Sequence, residues 1–202
     1  MKIFSRFLTA VALATLMVLP VTAGAESSRS TVNKSIHIGD NTTAGDIDSV
    51  NGSIRIGANS SVESVESVNG SIKLANDVTV DRSVEAVNGA ITLGPGCAVG
   101  GDVETVNGGI KVQNTLVSGN VETINGRIRI LDGSEIAGNV KVEKPHGWSW
   151  NNRSKPVHVQ IGKGVVVHGD LIFEHAVELE LHDTARVGEI IGDEVEMVGN
   201  SS

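Results

Sequence analysis

The chain has 202 residues, with 16 basic and 24 acidic side chains and a formal net charge of −8. This negative balance argues against binding nucleic acid or an anionic membrane surface through overall charge. The only cysteine, Cys97, excludes an intramolecular disulfide, and aromatic residues make up only 2% of the chain, so its core must be narrow and filled by small aliphatic side chains.

Residues 1–25 have the pattern of a secretory signal peptide. Lys2 and Arg6 supply a positive start, residues 7–21 are mostly apolar, and residues 23–25 read Ala-Gly-Ala, a small-residue cleavage pattern. An uncleaved membrane anchor is the alternative, but Pro20 interrupts the apolar stretch, which is shorter than the ~20 residues that a span needs. We therefore predict cleavage near Glu26, residues 26–202 as the folded domain, and a periplasmic or extracellular location without membrane insertion.

One phrase recurs along the chain at a nearly fixed period. Asn-Gly followed by alternating apolar and polar residues forms the clean copies, and a degenerate copy with Lys34 in place of glycine precedes them. The asparagines are residues 33, 51, 69, 88, 107 and 125, at spacings of 18, 18, 19, 19 and 18. A period of this length is typical of solenoids, in which each repeat forms one coil.

Each repeat predicts three short strands and three corners. Alternation around Ile54 and Ile56 indicates a strand with one buried face. Asn-Gly is a strong turn signal because both residues tolerate positive φ, and further corners are expected near residues 57–59 and 43–45. A hairpin meander also has Asn-Gly turns, but it gives no reason for every other connection to share one sequence. The prediction is an all-β fold, a single-stranded parallel β-helix whose triangular coils have the length of the period, about 18–19 residues.

Residues one period apart should then lie directly above one another. Three inward columns are expected: residues 50, 68, 87, 106 and 124; residues 54, 72, 91, 110 and 128; and residues 56, 74, 93, 112 and 130. The asparagines should form a further column in which the side-chain amides hydrogen-bond to one another. About nine coils at a spacing of ~4.8 Å predict a rod on the order of 40 Å long.

A second phrase, Gly-Asp-Ile or a close variant, locates an insertion. It begins at residues 45, 101, 119, 138, 169 and 188. The step from the glycine at 138 to the glycine at 169 equals one period of 19 plus 12. One coil is therefore predicted to carry an inserted loop at about residues 144–156, and insertions in solenoids often form the binding face.

The inserted loop contains the candidate partner-binding residues, which are His146, Trp148, Trp150, Arg153 and Lys155. Both tryptophans of the chain lie here, and Trp and Arg are frequent anchors at interfaces. Exposed tryptophan also stacks on sugar rings, so the expected partner is a carbohydrate or protein of the cell envelope or cell surface. The alternative is that the loop folds back and its tryptophans cover apolar surface on the flank of the coil.

Two outward columns of charged residues are expected on either side of the Asn-Gly corner. The acidic column is Asp48, Glu66, Glu85, Glu104 and Glu122, followed by Lys141. The mainly basic column is His37, Arg55, Lys73, Thr92, Lys111 and Arg129. Stacked like charges cost a few tenths of a kcal/mol each. Solvated faces are favoured over a cation-binding or partner-binding stripe, because exposed charge pairs contribute little.

No catalytic, metal-binding or cofactor motif is present, so we predict a protein without enzymatic activity, cofactor or metal. Residues 161–170 resemble the repeats of hexapeptide acyltransferases, in which His168 would be the candidate base. The preferred interpretation is that His168 is a corner residue before a turn glycine. The acids form a repeated column rather than the singular pair of a sugar-degrading enzyme. Cys97, placed in one column with Val78 and Leu116, is expected to point inward.

The repeated Val-Glu-x-Val-Asn-Gly-x-Ile-x-Ile phrase resembles the bacterial β-helical repeat proteins described as adhesins. The Gly-Asp-Val phrase and residues 161–171, Ile-Gly-Lys-Gly-Val-Val-Val-His-Gly-Asp-Leu, resemble the polymer-forming bactofilin family. The resemblance covers about residues 32–192, implies a right-handed parallel β-helix and brings no catalytic residues. Bactofilins are cytoplasmic filament formers, whereas this chain carries a predicted export signal.

The ends of the rod bear on self-association. An open solenoid exposes unpaired strand edges and grows by stacking unless it is capped. Acids in the last coil, Glu189, Asp193, Glu194 and Glu196, are expected to oppose end-on addition. The favoured function is therefore a non-enzymatic exported scaffold, adhesin-like, that presents the tryptophan loop. The alternatives are a self-assembling, bactofilin-like filament protein, and a β-helical carbohydrate-active enzyme or hexapeptide-type acyltransferase.

Overall fold

A computed structural model describes residues 27–144 and 155–199, which form 25 short β-strands, numbered here in chain order, and no helix. The first twelve are β1 (Arg29–Thr31), β2 (Ile36–Ile38), β3 (Thr43–Ala44), β4 (Ile47–Ser49), β5 (Ile54–Ile56), β6 (Ser61–Val62), β7 (Val65–Ser67), β8 (Ile72–Leu74), β9 (Thr79–Val80), β10 (Val84–Ala86), β11 (Ile91–Leu93) and β12 (Ala98–Val99). The next thirteen are β13 (Val103–Asn107), β14 (Ile110–Gln113), β15 (Leu116–Val117), β16 (Val121–Asn125), β17 (Ile128–Leu131), β18 (Glu135–Ile136), β19 (Val140–Val142), β20 (Val157–Ile161), β21 (Val166–Val167), β22 (Leu171–Phe173), β23 (Val177–Leu181), β24 (Ile190–Ile191) and β25 (Val195–Met197).

These strands form three parallel sheets, as predicted for a β-helix. Sheet A has the order β1-β4-β7-β10-β13-β16-β19-β22-β24, sheet B the order β2-β5-β8-β11-β14-β17-β20-β23-β25, and sheet C the order β3-β6-β9-β12-β15-β18-β21. The chain visits A, B and C in turn, so each strand pairs with the strand one lap later. Among the described residues, seven laps contain all three strands, and the last two have strands only in sheets A and B. Right-handed winding stays a prediction.

The core is a stack of aliphatic columns in register between neighbouring laps. In sheet B, Ile54 pairs with Ile72 and Ile72 with Ile91, and these side chains have no solvent exposure. The column that begins at Ile56 and continues through Leu74 is equally buried. Both columns confirm the predicted alternation, and each such side chain contributes roughly 1.5–3 kcal/mol relative to an exposed position.

The third predicted inward column is wrong. Val50, Val68, Val87 and Val106 are only half-buried, and Ile124 alone is buried. The residues of sheet A that face the core lie one and three positions before this column. In the lap of Val106, for example, Thr105 and Val103 are completely buried. Alternation along β13 then turns Glu104 and Val106 outward together. Sheet A carries apolar residues on both its inner and its outer face, so hydropathy alone did not identify which valine column faces the core.

The asparagine column forms the predicted ladder at the corner between sheets A and B. Each Nδ2 donates to the Oδ1 of the asparagine one lap earlier, over 3.0 Å from Asn51 to Asn33, 2.9 Å from Asn69 to Asn51 and 3.1 Å from Asn125 to Asn107. The two steps through Asn88 are both 3.0 Å. The ladder joins six laps at the surface and stabilises their register.

The glycine that follows each asparagine from Asn51 to Asn125 is required by contact between laps rather than by its φ angle, contrary to the prediction. A Cβ on Gly108 would overlap the carbonyl oxygen of Gly89, and one on Gly126 would overlap that of Gly108. Positive φ among the described residues occurs mainly at the corner between sheets B and C instead, for example at Asn59 and Asp77. The A–B corners therefore stack too closely to admit a side chain.

The Gly-Asp phrase forms a second ladder at the corner between sheets C and A. Oδ1 of Asp102 accepts the backbone N–H of Asn120 over 2.8 Å, and Oδ1 of Asn120 accepts that of Asn139 over the same distance. Asn139 and Asp170 continue the series to Glu189. Side chains thus satisfy backbone donors between the strands, which explains why Asp or Asn recurs there.

Candidate functional site

The predicted partner-binding loop falls largely outside the described residues. His146, Trp148, Trp150 and Arg153 belong to that part of the chain, and their placement is left as a prediction. Lys155, near the end of the predicted loop, is exposed. Of the loop at 144–156, the structure therefore describes only residues 144, 155 and 156.

The sheets continue across the insertion without a change of register. Val142 pairs with Thr123 on one side and with Phe173 on the other, and in sheet B Ile128 pairs with Val159, which follows the insertion. The pairing of β19 in sheet A and of β20 in sheet B is therefore continuous with the neighbouring laps on either side of the predicted insertion. The loop at about residues 144–156 stays a prediction.

The asparagine ladder ends at Asn125, one lap before the predicted insertion. Thr123, Val142 and Phe173 are paired in register, and the residues two positions after them are Asn125, Lys144 and His175. This corner position therefore changes from asparagine to lysine and then to histidine. The backbone N–H of Lys144 donates to Oε2 of Glu174 over 3.3 Å. A lysine and then a histidine thus take the place of the asparagine in the laps that follow Asn125.

A cavity of about 560 Å³ lies at this corner, which we call the corner cavity. Its lining residues are Lys144, Ile172, Phe173, Glu174, His175, Ala176, Ile191, Gly192, Asp193 and Glu194. Phe173 is buried, whereas Ile191 is 46% exposed. Glu174, Asp193 and Glu194 contribute carboxylates to the lining together with the basic side chains of Lys144 and His175. The volume is within the range of ligand pockets.

The corner cavity was not found from the sequence. Its residues come from β22 and β24 and from the turns that follow β19, β22 and β24, and none belongs to a recognisable motif. The one available signal was the loss of Asn-Gly after residue 126, together with the only phenylalanine beyond the predicted signal peptide, Phe173. Together they mark the corner at which the repeat stops being regular.

The acidic column on sheet A faces outward as predicted, but it is not a solvated face. Glu66 pairs in register with Glu85, and Glu85 with Glu104. Glu85, Glu104 and Glu122 are 8%, 4% and 5% exposed. Each carboxylate stacks on the next, and the half-buried valines two residues further along the strands share the same face. The expectation of solvent exposure was therefore wrong for the middle of this column.

Burial and repulsion raise the pKa of the carboxyls at the start of the column. Burial raises the pKa of Glu66 to about 7, with further contributions from Glu85, Asp48 and Asp46, while Arg82 opposes the shift. The pKa of Asp48 is also raised, by burial first and then by Asp46. Glu66 therefore keeps its proton to a higher pH than an exposed acid does.

Two basic residues compensate part of the acidic surface. The Arg82 guanidinium lies 2.5 Å from Asp46 and 2.6 Å from Glu63. Lys141 lies 2.8 Å from Glu122 at the end of the acidic column. Burial opposes the charged form of Lys141, but the hydrogen bond and charge of Glu122 outweigh it and raise the lysine pKa.

The two residues singled out for reactivity lie in ordinary structural surroundings. Nε2 of His168 is 2.7 Å from Oε1 of Glu135, and both side chains are more than half exposed. Cys97 is buried as predicted, with Sγ 3.0 Å from the carbonyl oxygen of Ala75. Its predicted column was partly wrong, because Ala98 pairs with Leu116, so that Cys97 stacks with Thr115 while Leu116 is exposed. Burial raises the pKa of the Cys97 thiol.

Comparison of the chain with protein-family models, curated proteins and solved structures finds no match. Within residues 27–144 and 155–199, no group of three or more histidine, cysteine or acidic side chains is placed to hold a metal ion. The same residues include no helix long and apolar enough to cross a membrane. The resemblances to adhesin-like and bactofilin repeats therefore stay expectations, and function is argued from the geometry of the rod.

Proposed function

We propose that this protein is an exported, non-enzymatic scaffold, adhesin-like, that holds a binding loop against a component of the cell envelope. The loop comprises residues 144–156, with His146, Trp148, Trp150, Arg153 and Lys155 as contacts, and the corner cavity lies at its base. The supporting observation is the unbroken pairing of Ile128 with Val159 across the insertion. A rod that keeps its register around an extra dozen residues suits a support for a protruding loop.

The scaffold role follows from the way the rod is stabilised. The columns from Ile54 and Ile56 and the two side-chain ladders join each lap to the next, so the rod resists bending between laps. Functional groups on rigid elements keep their position, which favours binding by the attached loop. The partner is proposed to be a carbohydrate or protein of the envelope, because tryptophan and arginine suit both.

The loop is tested by Trp148→Ala combined with Trp150→Ala. We expect this variant to lose most of its binding to isolated cell-envelope fractions while keeping the thermal unfolding midpoint of the parent. The matched control is Val32→Ala with Leu116→Ala, which removes exposed apolar side chains elsewhere on the rod. Equal binding by the loop variant and the parent would remove the loop from the proposal.

Export is tested separately by the mass of the protein recovered from the producing cells. We expect the mature chain to begin near Glu26 and to be found outside the cytoplasm. Recovery of the uncleaved chain from the cytoplasm would contradict the proposed location and leave the loop test unaffected.

A second candidate function, end-to-end assembly, is favoured by the last lap. Ile190, Ile191 and Met197 are 42%, 46% and 57% exposed, and β24 and β25 each pair with a neighbour on one side only. Open edges of this kind template further strands, although Glu189, Glu194 and Glu196 beside them oppose stacking. Light scattering over a range of protein concentrations separates the candidates, since growth with concentration indicates a filament and a constant mass the scaffold.

A further inference from the structure

The outer face of sheet B carries a row of cations in register. Arg55 pairs with Lys73, and Lys111 pairs with Arg129, with Thr92 between the two pairs. We call Arg55, Lys73, Lys111 and Arg129 the cation stripe. Its ends are four laps apart, which at ~4.8 Å per lap is about 19 Å along the rod. The stripe presents one positive charge at nearly every lap along a straight line.

The cation stripe has no counter-charge within the parts of the chain that the structure describes. None of its members takes part in an ion pair or a side-chain hydrogen bond there. Two acids that follow this register position by three residues have partners of their own: Asp40 accepts the N–H of Ala58 over 2.8 Å, and Asp132 accepts Nε2 of Gln113 over 2.7 Å. Stacked like charges destabilise a sheet, so the stripe is not explained by the stability of the rod.

The asparagine ladder runs alongside the cation stripe. Asn51, Asn69, Asn107 and Asn125 each precede a member of the stripe by four residues, and all four are exposed. Within the ladder a side chain donates one Nδ2–H and accepts one hydrogen bond at Oδ1. An amide has two N–H groups and two acceptor positions, so each asparagine keeps one of each for a ligand. Charge recognition and neutral hydrogen bonding therefore lie in parallel rows.

The cation stripe ends where the charge on the outer face of sheet B changes from positive to negative. Beyond Arg129 the same register position is Gln160 and then Glu180, and Glu178 and Glu196 lie on the neighbouring position of the last laps. An anionic ligand is therefore attracted to the second to sixth laps and repelled from the last two, with the neutral Gln160 between them. The positive region is limited in length although the whole chain is negative.

We propose that the cation stripe and the asparagine ladder bind a linear acidic polysaccharide with a carboxylate on successive sugar units. One lap has a spacing comparable to the length of a sugar residue, so that carboxylates align with cations and hydroxyl groups with amides. The choice of a polysaccharide over a nucleic acid rests on the proposed export. It is also favoured because the described outer column of sheet B has no phenylalanine, tyrosine or tryptophan on which bases would stack.

Binding is tested with polygalacturonate as the acidic probe and dextran as the neutral one, using the full mature chain. The stripe variant is Lys111→Gln with Arg129→Gln. The matched control is Lys163→Gln with Arg186→Gln, which removes the same charges from exposed positions elsewhere. We expect the stripe variant to bind polygalacturonate roughly tenfold or more weakly, and the control to bind within about twofold of the parent.

Further variants and ligands test whether the charge pattern itself is recognised. Arg129→Lys keeps the charge and is expected to keep binding, and affinity is expected to fall as salt increases. Equal loss in the control variant, tight binding of dextran, or equally tight binding of a single-stranded DNA oligonucleotide would overturn the proposal. Because the inserted loop is not involved, the variant lacking Trp148 and Trp150 is expected to bind polygalacturonate normally, which distinguishes failure of this inference from failure of the loop proposal.

Discussion

At the residue scale, glycine at the A–B corner is set by the distance between laps. A Cβ on Gly108 would overlap the carbonyl oxygen of Gly89, which is backbone and has no room to move away. A Cβ on the adjacent Gly109 would meet its nearest neighbour at 3.4 Å, an ordinary contact. Neighbouring glycines therefore have different structural roles.

We predict that Gly108→Ala destabilises the rod by about 3 kcal/mol or more, because the two laps must separate and strain the asparagine ladder. Gly109→Ala, the matched control, is expected to change the free energy of unfolding by about 0.5 kcal/mol or less. Chemical denaturation of both variants measures the difference. Similar stability of the two would show that the laps do not approach as closely as described.

Glu66 makes stability depend on pH in a direction opposite to that of an ordinary salt-bridged acid. Its folded pKa of about 7 exceeds the ordinary 4.5, so the folded protein binds the proton more tightly than the unfolded chain. The stabilisation from this proton is complete below about pH 4.5 and is lost as the pH rises through 7. At alkaline pH the ionised Glu66 destabilises the fold.

We predict that Glu66→Gln stabilises the protein at pH 8 by about 1 kcal/mol, a value reduced for partial solvent screening. The difference from the parent should disappear well below pH 4.5, where Glu66 of the parent is protonated in both the folded and the unfolded state. Thermal unfolding across this range measures it, with the exposed Glu196→Gln as control. A stabilisation that is constant with pH would exclude titration of Glu66 as the cause.

At the scale of one element, the insertion is additional to a complete lap. Four residues, 124–127, separate Thr123 in sheet A from Ile128 in sheet B. If residues 145–156 were removed, four residues would also separate their partners Val142 and Val159, namely 143, 144, 157 and 158. The shortened corner has the length that the preceding lap already uses.

We therefore predict that deletion of residues 145–156 leaves a folded rod, with cooperative unfolding and unchanged β content by circular dichroism. A deletion of equal length within a regular lap, 58–69, is the control and should abolish folding, because it shifts the inward columns of the following strands out of register. Loss of folding after the first deletion would show that the insertion contributes to the core.

At the scale of the whole molecule, stability is a sum over laps and their interfaces. The middle laps have neighbours on both sides, and Ile110 and Ile128 are almost completely buried. The last lap has a neighbour on one side, and its core-facing Met197 is 57% exposed. The rod should therefore open from the C-terminal end of the described region.

We predict a gradient of amide hydrogen exchange, with the slowest exchange in β14 and β17 and the fastest in β24 and β25. The measurement is mass-spectrometric hydrogen exchange at low protein concentration. Uniform slow exchange that persists on dilution would contradict an open end, whereas protection of β24 and β25 that grows with concentration would favour end-to-end assembly.

The sequence by itself determined the architecture, because a lap contacts only its neighbours and the same residue types return at each period. The Ile54 and Ile56 columns and the asparagine ladder follow from that repetition and are confirmed, and the inserted loop stays a prediction. The ladder was predictable because six asparagines share one register position, which places each side-chain amide next to the amide of the neighbouring lap. Export and the roles of Trp148 and Trp150 stay predictions.

Only the tertiary structure decided which way the valines of sheet A face and how deeply the acids beside them lie. Val103 and Val106 have the same hydropathy, and only the path of the strand places the first inside and the second outside. The burial of Glu104 and the cavity lined by Phe173 and Ile191 depend on residues from several laps and corners. A repeat specifies what lies one lap away, but contacts where the repeat breaks depend on how the chain fills space there.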